Sequence, residues 1–242
     1  MVVKNQIKFI KSLHQKKYRI QHGMFVVEGI KIIRELLEAN YEPYVIYMVH
    51  PTDLDVYSNR VYTIKEADLK KISGLRTPNG ALAVFYIPKY DIQEDRDWVL
   101  VLDDVRDPGN LGTIIRLCDW FGIRRLVCSP QTVDCYNPKV LQATMGSIAR
   151  VEVVYEDISN FLRTTQVPIY GAFMTGESVY NKELPPRGIL IMGNEANGIS
   201  KDVEALISEK ISIPQFGEST TESLNVAMAT SILLNEIRRV GA

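Results

Sequence analysis

Three segments of the chain combine small residues, amides and charged side chains in patterns that could bind a ligand. They are DDVRDPGNLGTIIR (103–116), MGNEANGIS (192–200) and IPQFGESTTESLNVAMATSILLNEIRR (213–239). The first predicts a glycine-rich turn followed by a helix, whose free N–H groups could bind phosphate. Its spacing matches neither the dinucleotide fingerprint G-x-G-x-x-G nor a P-loop, so neither of those nucleotide sites is predicted.

Arg116 is a charged residue of the first segment that could take part in a reaction. It lies six residues after Asn110, so the helix that follows the turn would bring it near the crevice at the end of the preceding strand. The alternative is an ion pair with Asp103, Asp104 or Asp119. The sequence favours neither interpretation over the other.

The second segment follows an apolar strand and contains two glycines. Gly193 and Gly198 lie on either side of Asn194, Glu195 and Asn197. Glycines let the backbone approach a flat ligand closely. The same residues could also form an ordinary tight turn.

The third segment has two unlike halves. Residues 217–223 are small or polar, whereas the residues from Leu224 repeat apolar side chains at helical spacing and predict a buried helix over 224–239. Asn225 falls in the first turn of that helix. A core helix alone does not explain the small polar run before it.

The composition is that of a globular protein, with 242 residues, 46% of them apolar, and a net charge of -1. No apolar run reaches the roughly 20 residues of a membrane helix, and lysines interrupt the N-terminus too often for a secretory signal. We therefore expect a soluble cytoplasmic protein without contact to a membrane. Cys118, Cys128 and Cys135 lack C-x-x-C spacing, which favours buried thiols and predicts no metal site.

Positive charge is concentrated near the N-terminus. Residues 4–34 carry eight Lys and Arg residues against the single acid Glu28. Such a stretch is either a solvated face or a surface that binds nucleic acid. Charge alone favours the solvated face.

The strands and helices that position these segments form two domains. Strand and helix patterns alternate over residues 1–90, and a polar stretch after Pro88 precedes a second domain at 97–242. In the second domain apolar strands alternate with helices, which predicts a mainly parallel sheet covered on both faces. Ligands bind at the carboxyl ends of strands in such sheets, and the loops after strands are therefore the predicted site.

The three segments together resemble a known family. DPGNLGTIIR, IMGNEANGIS and IP-x-x-G followed by ESLNVAMA, in this order, are similar to the three motifs of the SpoU (TrmH-like) branch of the SPOUT RNA methyltransferases. KKYRIQHGMFVVEGIKIIREL also resembles the ribosomal-protein-like α/β domain that binds RNA in many members. The resemblance implies methyl transfer from S-adenosylmethionine to a ribose 2'-hydroxyl, a deep trefoil knot in the C-terminal domain, and a homodimer. The knot would be an exception to the rule against threaded chains, and it would explain the small residues at 217–223.

The resemblance also implies roles for particular residues. The catalytic residues would be Arg116, Asn110, Glu195, Ser223 and Asn225. The cofactor would be bound by the second and third segments, through Met192, Gly193, Asn194, Gly198, Ile213, Leu224 and Asn225. With the family in view, the basic N-terminal stretch becomes a predicted RNA contact, led by Lys16, Lys17 and Arg19, with Phe25 in the core.

The family invokes the first-motif arginine as the base that activates the hydroxyl. Removing a proton from a guanidinium at pH 7 costs roughly 8 kcal/mol, because its reference pKa lies about six units higher. We therefore prefer a role for Arg116 in binding the adjacent phosphate and stabilising the developing alkoxide. Proton removal, directly or through the phosphate, remains the alternative.

Two departures from the family pattern concern the third segment. Residues 217–223 are two residues longer than the commonest spacing, and Gln215 stands where Met is frequent. A longer loop costs little closure entropy, so we expect the fold to persist, with cofactor affinity in question. Ribosomal RNA is the favoured substrate over tRNA, because members with this N-terminal domain usually modify large-subunit rRNA. A catalytically silent RNA-binding protein is a further alternative, and a nucleotide-binding oxidoreductase is disfavoured.

Overall fold

The structure, a computed structural model, describes residues 2–50, 59–90, 97–217 and 223–239. The chain divides into two compact units, called here the N-terminal unit (Met1–Lys89 with Asp134–Ala149) and the C-terminal unit (Tyr90–Val133 with Arg150–Ala242). This differs from the predicted division at 1–90 and 97–242, because segment 134–149 belongs to the first unit. Side-chain contacts hold it there: the Tyr41 hydroxyl donates to the Ile148 carbonyl, and Phe25 packs on Tyr136.

The N-terminal unit is a four-stranded sheet with helices on it. Its strands have the order β1-β4-β2-β3, antiparallel except for the parallel pair β2 and β3. The elements are α1 (Lys4–Ser12), α2 (Lys16–His22), β1 (Met24–Glu28), α3 (Ile30–Glu38), β2 (Pro43–Met48), β3 (Val61–Thr63), α4 (Glu66–Ile72), β4 (Ala81–Tyr86), α6 (Pro138–Thr144) and a 3-10 turn (Ser147–Ala149).

Apolar residues cover both faces of this sheet. Ile10 and Leu13, in and just after α1, join Leu69 and Ile72 of α4 in one buried cluster. The central residues of β1 (25–27) and the first five residues of β4 (81–85) are buried without alternation, and α3 buries Ile33 and Leu36 as well. Phe25 is fully buried, as predicted.

The C-terminal unit is built on a six-stranded sheet in which every described strand pair is parallel. The strand order is β10-β8-β9-β5-β6-β7. The elements are β5 (Val99–Leu102), α5 (Pro108–Trp120), β6 (Arg125–Cys128), β7 (Glu152–Tyr155), α7 (Ile158–Thr164), β8 (Ile169–Ser178), a 3-10 turn (Val179–Asn181), β9 (Ile189–Met192), α8 (Lys201–Glu204), β10 (Glu209–Ser212) and α9 (Val226–Arg239).

The order in which strands are added to this sheet changes direction between the neighbouring strands β5 and β9. From β5 the chain proceeds outward through β6 and β7, and β8, β9 and β10 lie on the other side. Leu102 and Met192, the last residues of β5 and β9, are paired. The loops that follow these strands therefore start side by side, at the position where open α/β sheets bind ligands.

Helices α5 and α9 pack against each other and run in the same direction. Asn225, before α9, bonds Asn110 in the first turn of α5. At the other end, the guanidinium of Arg238 donates to the Phe121 carbonyl and to Asp97. The first and third segments are therefore held together at the amino ends of two packed helices.

The α/β class and the mainly parallel sheet are confirmed. The knot stays a prediction, and most of the long polar run, residues 218–222, lies outside the described residues. The sequence pattern predicts no strand at β10, whose first residues are charged. This strand is at the edge of the sheet, where charged side chains are tolerated, and Glu209 pairs there with Lys182.

Two further expectations concern burial and membranes. Cys118, Cys128 and Cys135 are buried free thiols, and burial raises the pKa of Cys118. Over the described ranges, no helix is both long and apolar enough to cross a membrane.

Candidate active site

The first segment forms a tight turn and the beginning of α5. Asp104 has φ 61, which lets the chain reverse directly after β5. Asp107 then caps α5, since its carboxylate accepts the Asn110 N–H at 2.8 Å, and Pro108 occupies the first helical position. These local bonds place the Asn110 side chain at the carboxyl end of the sheet.

The second segment forms a closed loop after β9. Asn194 and Gly198 exchange both backbone hydrogen bonds at 2.9 Å. The Asn194 Oδ1 accepts the N–H groups of Ala196 and Asn197, and its Nδ2 donates to the Asp104 carbonyl at 2.7 Å. One amide therefore shapes the second loop and ties it to the first.

Gly193 is required by the close approach of this loop to itself. A Cβ at Gly193 would lie 2.3 Å from the Gly198 carbonyl carbon and 2.4 Å from the Ile199 nitrogen. Gly198 is required for a different reason, because its φ is +67 while nothing lies within 4 Å of a Cβ there. The loop therefore has no side chain at the two points where its backbone closes.

The third segment enters the site through Asn225, which caps α9. Its Oδ1 accepts the N–H groups of Ala227 at 2.9 Å and Met228 at 3.3 Å. The predicted C-terminal helix is confirmed, but it begins at Val226 and not at Leu224, so Asn225 precedes the first turn and caps it. A capping amide uses its oxygen for the helix and keeps its nitrogen for another partner.

A line of hydrogen bonds joins all three segments. Asn225 Nδ2 donates to Asn110 Oδ1 at 3.0 Å, and Asn110 Nδ2 donates to Glu195 Oε1 at 2.7 Å. The cap fixes the orientation of the Asn225 amide, which in turn requires the Asn110 oxygen to face it. The Asn110 amino group must then face an acceptor, and Glu195 supplies one, so every amide in the line has one consistent orientation.

Arg116 is exposed on α5, and the three acids that could pair with it have other partners. Asp119 bonds Arg150 at 2.8 Å, Asp104 bonds Arg106 at 2.7 Å, and Asp103 accepts the Ser200 N–H. Across the part of the chain that the structure describes, no hydrogen bond or ion pair to the Arg116 guanidinium is found. These residues therefore contain no ion pair to Arg116, and the Arg116 side chain is exposed to solvent.

The remaining predicted cofactor residues lie at the ends of strands or near α9. Met192 is buried at the end of β9, Ile213 is half-buried after β10, and Leu224 is 50% exposed. Ser223 is exposed, and no hydrogen bond within the described segments joins it to Asn110. Predicted residues from all three motifs thus come together through amides, with Ser223 outside that network.

Acidic residues that were not predicted as site residues support the loops. Asp103 holds the second loop through the Ser200 N–H, and Asp107 caps α5. A signal was available, because two aspartates follow β5 directly and a third precedes a proline. Short acidic side chains at such positions commonly bond nearby backbone N–H groups.

The predicted RNA contacts differ in accessibility. Lys16 and Lys17 are exposed on α2, but Arg19 is 3% exposed. Its guanidinium donates to the Asp134 carboxylate and to the Leu13 carbonyl. The prediction that Arg19 contacts RNA phosphate was therefore wrong, because its guanidinium forms an ion pair with Asp134 inside the N-terminal unit.

Substitution of Asn225 separates its two roles. Asn225→Asp keeps an oxygen for the α9 cap, so we expect wild-type stability, whereas Asn225→Ala costs about 1 kcal/mol. Asn225→Asp also removes the N–H donor to Asn110, which lets the Asn110 amide turn away from Glu195, and the RNA methylation that the family resemblance implies should fall. Chemical denaturation and a methylation assay measure the two effects. Full activity of Asn225→Asp would show that the line of hydrogen bonds is not needed.

A parallel sheet with three converging loops at its carboxyl edge defines an α/β protein that binds a ligand at that edge. The chain belongs to the SpoU rRNA Methylase family, whose sequence profile matches residues 97–235. A second profile, the MRM3-like substrate binding domain, matches residues 4–83.

Individual relatives match nearly the whole chain. The 23S rRNA (guanosine(2553)-2'-O)-methyltransferase RlmP of Bacillus subtilis is 31% identical over 97% of this chain and 97% of its own length. The solved structure of a TrmH-family protein from Porphyromonas gingivalis is 40% identical, with a TM-score of 0.92 over 99% of both chains. An AdoMet-bound rRNA methyltransferase from Sinorhizobium meliloti is 27% identical, with a TM-score of 0.87 over 99% of this chain and 96% of its own.

Proposed function

We propose that this chain transfers a methyl group from S-adenosylmethionine to a ribose 2'-hydroxyl of RNA. The observation that carries the proposal is the line of hydrogen bonds from Glu195 through Asn110 to Asn225, together with the exposed Arg116 further along the same helix as Asn110. It joins the three family motifs in one place. Ribosomal RNA is the favoured substrate, because the rRNA methyltransferase from Bacillus subtilis matches the N-terminal unit as well as the C-terminal unit.

The residues of the second loop fit a cofactor with a flat base. Gly193 and Gly198 leave the loop without side chains where its backbone closes, so backbone groups can lie close to an adenine. Ile213 and Leu224 add apolar surface, whereas Met192, which is buried, would contribute through its backbone. S-adenosylmethionine, when bound there, supplies an electrophilic methyl group on a sulfonium that is already a good leaving group.

Arg116 acts on the nucleophile. Its planar fork matches two phosphate oxygens, so it would bind the phosphate next to the target ribose and hold the 2'-oxygen in position. The same positive charge would stabilise the alkoxide that develops as the hydroxyl passes its proton to the adjacent phosphate or to water. Asn110, Glu195 and Asn225 keep the amino end of α5 in place, and Ser223 is proposed to complete the site on the side of the third segment.

The N-terminal unit would bind the RNA through the basic residues of α2. Replacing Lys16 and Lys17 by Ala should weaken RNA binding and reduce the salt dependence of log K by about 2, one for each lost phosphate contact. Filter binding at several salt concentrations measures both quantities. Arg19→Ala is the contrasting variant: it should destabilise the protein by about 3 kcal/mol or more, because it leaves Asp134 without its partner. Unchanged RNA binding by the double variant would contradict this assignment.

A homodimer is the proposed assembly. Large apolar side chains are exposed on the packed helix pair, namely Trp120 of α5, which is 84% exposed, and Met228 of α9, which is 62% exposed. Burying such side chains against a second copy would be favourable. We therefore expect Trp120→Glu to shift the protein from dimer to monomer in sedimentation velocity, whereas Ile20→Glu, at an exposed apolar residue of α2, should not. A monomeric wild-type protein would refute the dimer.

Titration of S-adenosylmethionine by calorimetry tests the proposed function. Saturable binding with or without RNA supports it, and no heat at millimolar cofactor would reject it. The alternatives are a tRNA substrate and a silent RNA-binding protein. The silent protein is disfavoured by the intact amide line and Arg116. A cytoplasmic location also stays a prediction.

A further inference from the structure

The N-terminal unit contains a cavity of about 210 Å³ that the proposed reaction does not use. It lies at the carboxyl end of β1 and is bounded on another side by α6. Its walls are mainly apolar, from Val27, Ile32, Leu75, Leu141 and Met145. Gln142, Asn79 and Lys31 are exposed members of the lining, so the cavity opens on the protein surface.

His14 lines this cavity and carries a polar atom without a partner among the described residues. Its Nε2 is buried and has no hydrogen-bond partner among the residues that the structure describes. Burial lowers the pKa of His14, which keeps the ring neutral near pH 7, and the ring also makes a backbone hydrogen bond with Ile72. A neutral imidazole that donates from one nitrogen is an acceptor at the other. Nε2 is thus an acceptor without a donor.

Glu28 provides further acceptors beside His14. One of its carboxylate oxygens accepts the Gly74 N–H at 2.8 Å, and the other accepts the hydroxyl of Ser73. These bonds hold the carboxylate in place, and each oxygen retains capacity for another donor. A suitable ligand therefore has flat apolar faces and N–H groups at its edge.

The volume limits the size of this ligand. An apolar cavity of about 150 Å³ accommodates one benzene molecule. A cavity of about 210 Å³ therefore holds a single heteroaromatic ring system, but not also a sugar and a phosphate. Lys31, at the opening, lies where a phosphate outside the cavity would meet a cation.

We propose that this cavity binds one unstacked nucleobase of the RNA substrate, with its N–H edge towards His14 and Glu28. Nucleobases are flat, carry N–H donors and become available to proteins where RNA is single-stranded. The proposal rests on the proposed function, because only an RNA substrate would present such a base to this unit. The N-terminal unit would then take part in substrate selection by binding a base, in addition to attracting the phosphate backbone of the RNA.

Methyl NMR of the full chain tests the proposal, with GMP, AMP, CMP and UMP as separate probes. We expect saturable shifts of the Leu141 and Met145 methyl groups with at least one nucleotide, and none with ribose 5-phosphate, which lacks a base. His14→Phe retains the ring shape without the acceptor and should weaken binding by about tenfold. His22→Phe, the same change at an exposed histidine of α2, should leave binding unchanged.

A second pair of variants keeps the test valid if His14→Phe does not fold. Gln142→Trp places a bulky ring at the exposed rim of the cavity and should abolish the shifts, whereas Lys139→Trp, exposed on the same helix outside the lining, should preserve them. Equal shifts with ribose 5-phosphate, or none with any nucleotide, would overturn the proposal. If the wild-type chain methylates RNA and no nucleotide shifts these methyl groups, the cavity proposal fails and the proposed function stands. If nucleotides occupy the cavity and no RNA is methylated, the proposed function fails instead.

Discussion

Arg116→Ala should lower the rate of RNA methylation by about 10²- to 10³-fold, the usual effect of removing one preorganised group that stabilises developing negative charge. Arg116 is exposed and has no bonded partner among the described residues, so the variant should fold and melt as the wild type does. The second and third segments, which would bind the cofactor, are unchanged. Single-turnover methylation, with cofactor affinity measured by calorimetry, separates these effects.

Arg116→Lys is the matched control for charge. A lysine keeps the positive charge but not the planar fork that binds two phosphate oxygens, so it should recover only a small part of the lost rate. A fully active Arg116→Ala enzyme would refute the assignment. If Arg116→Ala lowered cofactor affinity by the same factor as the methylation rate, the role of Arg116 would be cofactor binding and not action on the nucleophile.

Gly193→Ala should abolish cofactor binding and lower stability by about 1–3 kcal/mol, the cost of forcing a methyl group into a closely packed place. The new Cβ would lie 2.3 Å from a backbone carbon of Gly198, and backbone cannot move aside as a flexible side chain can. The loop must open, which displaces Asn194 and Glu195 together. A displacement of about 1 Å can lower a reaction rate by about 10²-fold.

Gly198→Asn is the control for this effect on stability. At Gly198 a Cβ has no neighbour within 4 Å, and the positive φ is one that Asn adopts more easily than most residues. The cost to stability should therefore be about 1 kcal/mol or less. Thermal unfolding and calorimetric titration compare the two variants. A Gly193→Ala protein with wild-type stability and cofactor affinity would contradict the role of loop closure.

The parts of the molecule that follow from local pattern could be predicted from the sequence. Apolar strands alternating with helices indicate a parallel sheet, and such a sheet places its loops at one edge. This is why the loops that contain Asn110 and Glu195 were expected near each other. The family resemblance implied that Asn225 joins them, and hydrogen bonds do connect the three residues.

The parts that depend on distant contacts could not be predicted in this way. Segment 134–149 has the local pattern of the second domain but belongs to the N-terminal unit, through contacts such as that between Tyr41 and Ile148. Arg19 lies in a basic stretch that is typical of a protein surface. It is nevertheless buried, and its guanidinium bonds Asp134, which is 115 positions away. Neither spacing nor charge density reveals a partner at that distance.

The most direct test of the central claim is a map of 2'-O-methyl groups in RNA from a strain that lacks this protein, before and after incubation with the purified chain and S-adenosylmethionine. The account predicts that a ribose in ribosomal RNA gains a methyl group with the wild-type chain and not with Arg116→Ala. Absence of any new ribose methylation, or a methyl group placed on a base instead, would contradict it.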